Sequence, residues 1–448
     1  MNKLPALRRF IARIGLAGTA AGLLCACGPS AAGIAVTVQG IADTTVRLEV
    51  KPSVGGKPLM SEFFTDLGGL PQVQLGFQLP TAYVGQPVGF QIDGLDAAGC
   101  RRQTVDLKLN TDSVRRYDAT ATLGGIRQAP LTSNLFAVHG TGPSDVWAVG
   151  GAGAVIRFNG CYWEQHTPFT SNGVMGVYAA PSAGGGPSTA VYAITDSEIY
   201  KWDGVTWVAE SIPTLPAGAA LRVIHGTSAS DVWAVAAYGG NPSCVILHRN
   251  ASRWDLDVGC VNVQPNSIRT YKLSSIYAVN ASNAIVGGGE SALPKTGTWS
   301  VGTWRANTGT MDASQTGDVA SVWGTSVNDY WAGGDFGALQ HYTNGGGWTL
   351  DSTFKSFFPT GTGAQKFIVY RMHGVSANDF WALSFTGSPT YTSRVAHYTG
   401  TWKLETQLNS TYTQLGAVWA GAANDVWFVG YGGLRVHYDG SNFVQSKE

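Results

Sequence analysis

Four histidine–aspartate pairs are the first feature of this sequence that could do chemistry. His248 follows Asp231, His341 follows Asp329, His397 follows Asp379 and His437 follows Asp425, at intervals of 12 to 18 residues. An imidazole held by a carboxylate is the base-and-orienter half of a nucleophilic triad. A further acid, Asp145, has Arg157 at the corresponding place, and another copy carries Ala190 with Lys201. Catalysis needs such a constellation once. Repeated along the chain, it reads as a structural brace that satisfies a partly buried carboxylate and pins a turn. No Gly-x-Ser-x-Gly elbow surrounds any serine, no Cys-x-x-Cys is present, and the Gly-Gly pairs read as turns, not phosphate cradles. No catalytic residue, metal or cofactor is therefore expected.

The elements that must position these pairs recur with them. "SDVWAVG", "SDVWAVA", "NDYWAGG", "NDFWALS" and "NDVWFVG" each set the acid at the end of a turn and open an apolar run. Taking the Asp-x-Trp position as register, the markers are Trp147, Tyr192, Trp233, Ile285, Trp331, Trp381 and Trp427, spaced 41 to 52 residues apart. A period in the forties is that of a four-stranded propeller blade, and seven copies predict a seven-bladed β-propeller over 135–448. The fold class is all-β. Consecutive apolar residues in the second strand fit a blade covered on both faces. His139, Tyr178, His225, Tyr277, Trp323, His373 and Trp419 share one place on the innermost strand, where they pack between blades or line a channel. The histidines of the third strand sit in different blades, with strands stepping outward by about 4.8 Å, too far apart to converge on metal bonds of about 2.0–2.1 Å. In the fourth copy the third strand is hard to see, and either Trp299 or Trp304 could open the last strand.

Residues 34–123 alternate apolar and polar in short runs such as "IAVTVQG", "VQLGFQL" and "TVDLKL". That predicts an antiparallel β-sandwich, immunoglobulin-like in a generic sense only, since the Cys-Trp-Cys spacing is missing. Ahead of it, 1–27 reads as an export signal: Lys3, Arg8, Arg9 and Arg13, then the apolar "IGLAGTAAGLL", too short to span a bilayer. The "LCAC" that follows resembles a bacterial lipobox, which implies lipidation of Cys27. Gly28 is not the Asp that retains such lipoproteins in the inner membrane. An outer-membrane lipid anchor is therefore expected, facing either the periplasm or the surface. Export allows disulfides, for which Cys244 with Cys260 and Cys100 with Cys161 are the candidates. Zero net charge and 13% charged residues leave no basic field for nucleic acid, and the chain is expected to be monomeric.

Function is sought where the repeats stop agreeing. The connections between second and third strands, and between blades, vary widely and emerge on one face, where recognition usually sits. Tyr238, Tyr271, Phe357, Phe358 and Tyr391 are candidates for stacking on a ligand or anchoring their loops. Arg222 and Arg371 begin the innermost strand in two blades and would bind an anionic group or pair with loop acids. The repeats "VHGTGPSDVWAVGGAGAVIRFNGCYW" and "VWAGAANDVWFVGYGGLRVHYDGSNF" resemble those of bacterial propeller lipoproteins, a resemblance over 135–448 that implies no catalytic residues. The expectation is an extracytoplasmic binding lipoprotein for a glycan or protein ligand. A propeller glycan hydrolase or lyase, and a scaffold for outer-membrane protein assembly, are the alternatives.

Overall fold

The computed structural model describes residues 8–12, 31–65, 67, 69–112, 116–125, 131–182, 186–188, 190–240, 243–257, 268–290, 293–300, 303–306, 311, 318–357, 367–386, 392–411 and 414–446. They fall into two units, Met1–Gln128 and Ala129–Glu448.

Period-2 patterning builds the first unit from β1 (Arg8–Ala12), β2 (Ala31–Gln39), β3 (Arg47–Val54), β4 (Lys57–Pro58), β5 (Glu62–Phe64), β6 (Gln72–Pro80), β7 (Pro87–Leu95), β8 (Arg101–Asn110), β9 (Arg116–Thr122) and β10 (Gly124–Gly125). Every second residue of β3 and β6 is buried, as one covered face requires. One sheet has the order β1-β6-β2-β9, the other β10-β8-β7-β3-β4 with β5 also on β3. Val36 and Phe77 from the first and Leu48 and Phe90 from the second share one hydrophobic core. The expected antiparallel pairing fails at one place. β2 and β9 run parallel, Gly33 opposite Arg116 through Gln39 opposite Thr122. β9 follows β8 of the other sheet, so it arrives by a crossover and not by the hairpin that imposes antiparallel pairing. Within the expected export signal, β1 pairs antiparallel with β6, whose free edge offers unpaired backbone groups to any extended segment. Cys27 lies outside the described residues.

The second unit is seven antiparallel four-stranded sheets, each of consecutive strands, here called a to d. In the first blade these are Leu135–Gly142, Asp145–Gly150, Val155–Phe158 and Trp163–Gln165, and in the seventh Leu415–Ala422, Asp425–Gly430, Arg435–Tyr438 and Phe443–Gln445. Strand b of both blades is buried throughout, being covered on two faces. Blade 4 does have a strand c, Leu293–Ser300, which carries Trp299, while Trp304 belongs to strand d, Thr303–Ala306. Tight c–d turns are set by Asx geometry: Asn159 accepts from the Cys161 and Tyr162 amides, and Asp439 from those of Ser441 and Asn442.

No strand is exchanged to close the ring. Blade 7 meets blade 1 through side chains: Trp427 stands edge-on to Trp163 at 5.0 Å and lies 4.7 Å from Phe158, and Gly432 N donates to Asn134 Oδ1 at 2.9 Å. Gly140 allows this approach, because a Cβ there would lie 2.9 Å from the Trp419 ring. In blades 3, 4 and 6 the strand-d tryptophan staples its blade to the preceding one. Trp254 Nε1 donates to Glu210 (3.1 Å), Trp304 to Asp257 (2.7 Å) and Trp402 to Asp351 (2.9 Å). Cys100, Cys161 and Cys244 are each disulfide-bonded, and Cys260 lies outside the described residues. Among the described residues no helix is long and apolar enough to cross a membrane.

Candidate functional site at the channel mouth

The two edges of the ring differ in kind. At the a–b edge each acid meets its base: His248 to Asp231 at 2.7 Å, His341 to Asp329 at 2.6 Å, His397 to Asp379 at 2.7 Å, His437 to Asp425 at 2.8 Å, and Arg157 to Asp145 at 2.9 Å. The tryptophan of the repeat is the third member, which the sequence reading missed. Strand pairing sets it directly opposite the base, and the rings stack, with Trp233 and His248 3.4 Å apart and Trp381 and His397 3.7 Å apart. In blade 1 the guanidinium of Arg157 takes the same place over Trp147. Side-chain exposure of the acids runs from 3% at Asp145 to 47% at Asp329. The pairs occupy separate blades, and the hydroxyls that join them, Thr227 at Asp231 and Thr141 and Ser188 at Asp145, bond the acid and not the base, so they add to the hold on each turn.

At the opposite edge, where strand a begins and strand b ends, all seven blades line a cavity of about 680 Å³ on the ring axis. Its wall is set by one register position, three residues before the inner-strand ring residue: Phe136, Met175, Arg222, Ser274, Ala320, Tyr370 and Gly416. Counting back three from His139 and its equivalents would have found them. Phe385 and Tyr431 also line the cavity, at the end of strand b and just beyond it in blades 6 and 7.

Arg222 and Arg371 both line this cavity, one register position apart in the repeat. Arg222 pairs with Asp196 at 2.7 Å, both partly exposed. Arg371 makes no ion pair among the described residues. Its Nη1 donates to the carbonyl of Tyr370 at 2.8 Å, its guanidinium lies 5.9 Å from that residue's ring, and burial pushes its pKa down. Lys272 adds a third cation, and Asp318 is the one acid among the described lining residues.

The loop aromatics do not gather here. Tyr271 is 6% exposed in the core between blades 3 and 4, and burial pushes its hydroxyl up to about 12. It is a loop anchor, and the expectation of an exposed stacking ring is corrected. Tyr238 packs on the core of blades 2 and 3, and Phe357 on that of blades 5 and 6. Phe358 and Tyr391 lie outside the described residues.

Below the mouth, the strand-a rings meet around the axis. Centroids are 4.9 Å apart for His139 and Tyr178, 5.7 Å for His139 and His225, and 4.4 Å for His225 and Tyr277. One ring nitrogen each of His139, His225 and His373 lies within 4.8 Å of the other two. Burial holds all three well below the ordinary histidine range, His225 at about 3 and His373 at about 4, with neighbouring imidazoles adding to the shift for His139 and His225. This convergence was not foreseen, because the metal argument weighed only the strand-c histidines.

Seven consecutive-strand blades around one axis find their counterpart among solved structures. The chain is similar to YCF48 bound to D1 peptide, at 13% identity over 70% of this chain and 95% of that one, with a TM-score of 0.50. It is likewise similar to YCF48 from Cyanidioschyzon merolae, at 14% identity over 70% and 98%, with a TM-score of 0.51. What is shared is the β-propeller fold. No family model and no curated protein matches the chain.

Proposed function

We propose that the propeller is a binding scaffold that takes a protein segment at its channel mouth, through an acidic group and adjoining apolar side chains. The observation that carries this is Arg371, a guanidinium without a carboxylate partner among the described residues, in the wall of a cavity whose apolar lining includes Phe136, Met175, Tyr370, Phe385 and Leu415. Concave, mostly apolar sites with a few placed polar groups are where ligands bind. A YCF48 structure is a complex with a peptide, which supports a protein ligand over a glycan. Asp318, the one acid among the described lining residues, gives no support to a glycan hydrolase, which would use two carboxylates. The two N-terminal sheets serve in this reading as a β-sandwich spacer, and Cys27 carries the lipid anchor to the outer membrane.

Crosslinked capture and peptide arrays with the chain lacking residues 1–27 test this, read beside a glycan array. Arg371→Ala is expected to weaken binding of acidic peptides at least tenfold. Unchanged affinity in that variant, or binding of glycans alone, rejects the site. Protease accessibility on whole cells decides whether the propeller faces the surface or the periplasm.

A further inference from the structure

The three channel histidines are fixed in one tautomer by their neighbours. Nδ1 of His139 accepts from Ala179 N at 3.2 Å, that of His225 from Ala278 N at 3.1 Å, and that of His373 from Ala420 N at 3.1 Å. A nitrogen that accepts from an amide carries no proton, so each neutral ring holds its proton on Nε2. With every Nδ1 engaged on another blade, the nitrogens left to meet in the channel are three N–H donors. They border a cavity of about 100 Å³ whose described lining also includes Arg222 and Arg371 and contains no carboxylate. Arg371 stands two residues before His373, on the same side of its strand.

We propose that this cavity is a binding site for one small anion of the chloride or carboxylate class, held by the three Nε2–H groups with the guanidinium of Arg371 balancing its charge. Geometry separates it from the other occupants. The three ring nitrogens lie within 4.8 Å of one another, so a common centre is at most about 2.8 Å from each, within N–H···O reach, and a larger ion meets all three from just off their plane. A zinc ion binds the lone pair of an imidazole nitrogen and not its N–H. Each ring would then have to move its proton to Nδ1, against an amide that already donates there. A water accepts two hydrogen bonds, leaving one imidazole donor unmet and turning its own hydrogens toward donors. An anion accepts all three. Tyr178 and Tyr277 face the same rings, and Asp231 is the carboxylate whose field reaches His225. Arg222 is already paired with Asp196, which leaves Arg371 as the cation that offsets it.

The test uses the full chain and bromide as probe. Anomalous diffraction from a bromide-soaked crystal is expected to place one bromide between the three rings. Sodium chloride is expected to raise the unfolding midpoint saturably where gluconate at equal ionic strength does not. His225→Asn removes the Nε2 donor while its amide oxygen can still accept from Ala278, and should cut the chloride affinity at least tenfold. Should that variant not fold, the 15N spectrum of the wild-type histidines still decides, since protons on Nε2 of all three are expected. Protons on Nδ1, zinc retained through dialysis by the three rings, or a channel without bromide and without a saturable chloride effect each overturn the proposal.

Discussion

Removing the acid at the foot of a blade should cost very different amounts in blades 1 and 5, although the two positions are equivalent in the repeat. Asp145 is buried and accepts from five donors: Trp147 Nε1 (3.0 Å) and Arg157 Nε (2.9 Å) on Oδ1, and Thr141 Oγ1 (2.8 Å), Ser188 N (2.7 Å) and Ser188 Oγ (2.5 Å) on Oδ2. Ser188 belongs to blade 2, so this carboxylate also ties two blades together. In Asp145→Ala the Ser188 amide and the Trp147 indole lose their acceptor inside the protein, at about 1–3 kcal/mol each, and Arg157 loses its counter-charge. Breaking a buried ionic network in this way costs about 3–5 kcal/mol. Asp329 is 47% exposed at its side chain and its partner His341 is 30% exposed, so both reach water once separated. Asp329→Ala should then cost about 0–1 kcal/mol. Urea unfolding of both variants, followed by tryptophan fluorescence, reads the difference directly. Losses within about 1 kcal/mol of each other, or a greater loss for Asp329→Ala, would refute the argument that burial and partner number set the strength of the brace.

Acid should weaken the propeller through its channel. The folded-state pKa values of His225 and His373, about 3 and about 4, lie below the unfolded value, so the unfolded chain takes up protons first as pH falls through 6.5. Stability is therefore full above pH 6.5 and declines from there until the folded rings titrate, by up to about 1.4 kcal/mol per pH unit for each ring. A His225→Asn/His373→Asn double variant should show a flatter pH dependence between 6.5 and 4 in the same urea assay. Trp402→Phe keeps an aromatic ring but drops the 2.9 Å bond to Asp351, and should cost about 1–3 kcal/mol more than the same change at the half-buried Trp207, which has no acceptor among the described residues. Gly226→Ala would set a Cβ 2.7 Å from the Tyr178 ring and 2.6 Å from the Asp231 carbonyl oxygen, and is expected to lower the free energy of unfolding by about 1–3 kcal/mol.

The parts of this fold that repeat were legible, and those that occur once were not. Seven copies of an apolar run after a small turn, five of them opened by the acid, located every strand b, because burial on both faces leaves a period of its own. Blade 4 shows the limit. Its strand c, "LPKTGTWS", pairs along its full length with Asn283–Glu290 yet carries no apolar run to announce it. The parallel β2–β9 pair was hidden for another reason. Alternation tells which face of a strand is covered, and the partner's direction depends on how the chain returns to the sheet. Tyr271 could be read either way, because a loop position does not tell whether its ring turns in to close the core, as it does between blades 3 and 4.

Register explains why the histidine cluster escaped notice while the braces did not. Residues of one blade that meet across strands b and c are near in sequence, so a pair such as Asp425 and His437 shows itself as a short interval. His139, His225 and His373 are separated by whole blades and meet only because strand a is the innermost strand of each. The same geometry decides where specialisation can occur. At the foot, each blade needs its own turn held, and the same acid and base recur. On the axis any one occupant would be shared by seven blades, so no symmetry of the ring is imposed there. The wall position is accordingly Phe, Met, Arg, Ser, Ala, Tyr and Gly in turn, and the ring below it mixes three histidines with two tyrosines and two tryptophans. A scaffold selected only for closure would repeat there as it does at the foot.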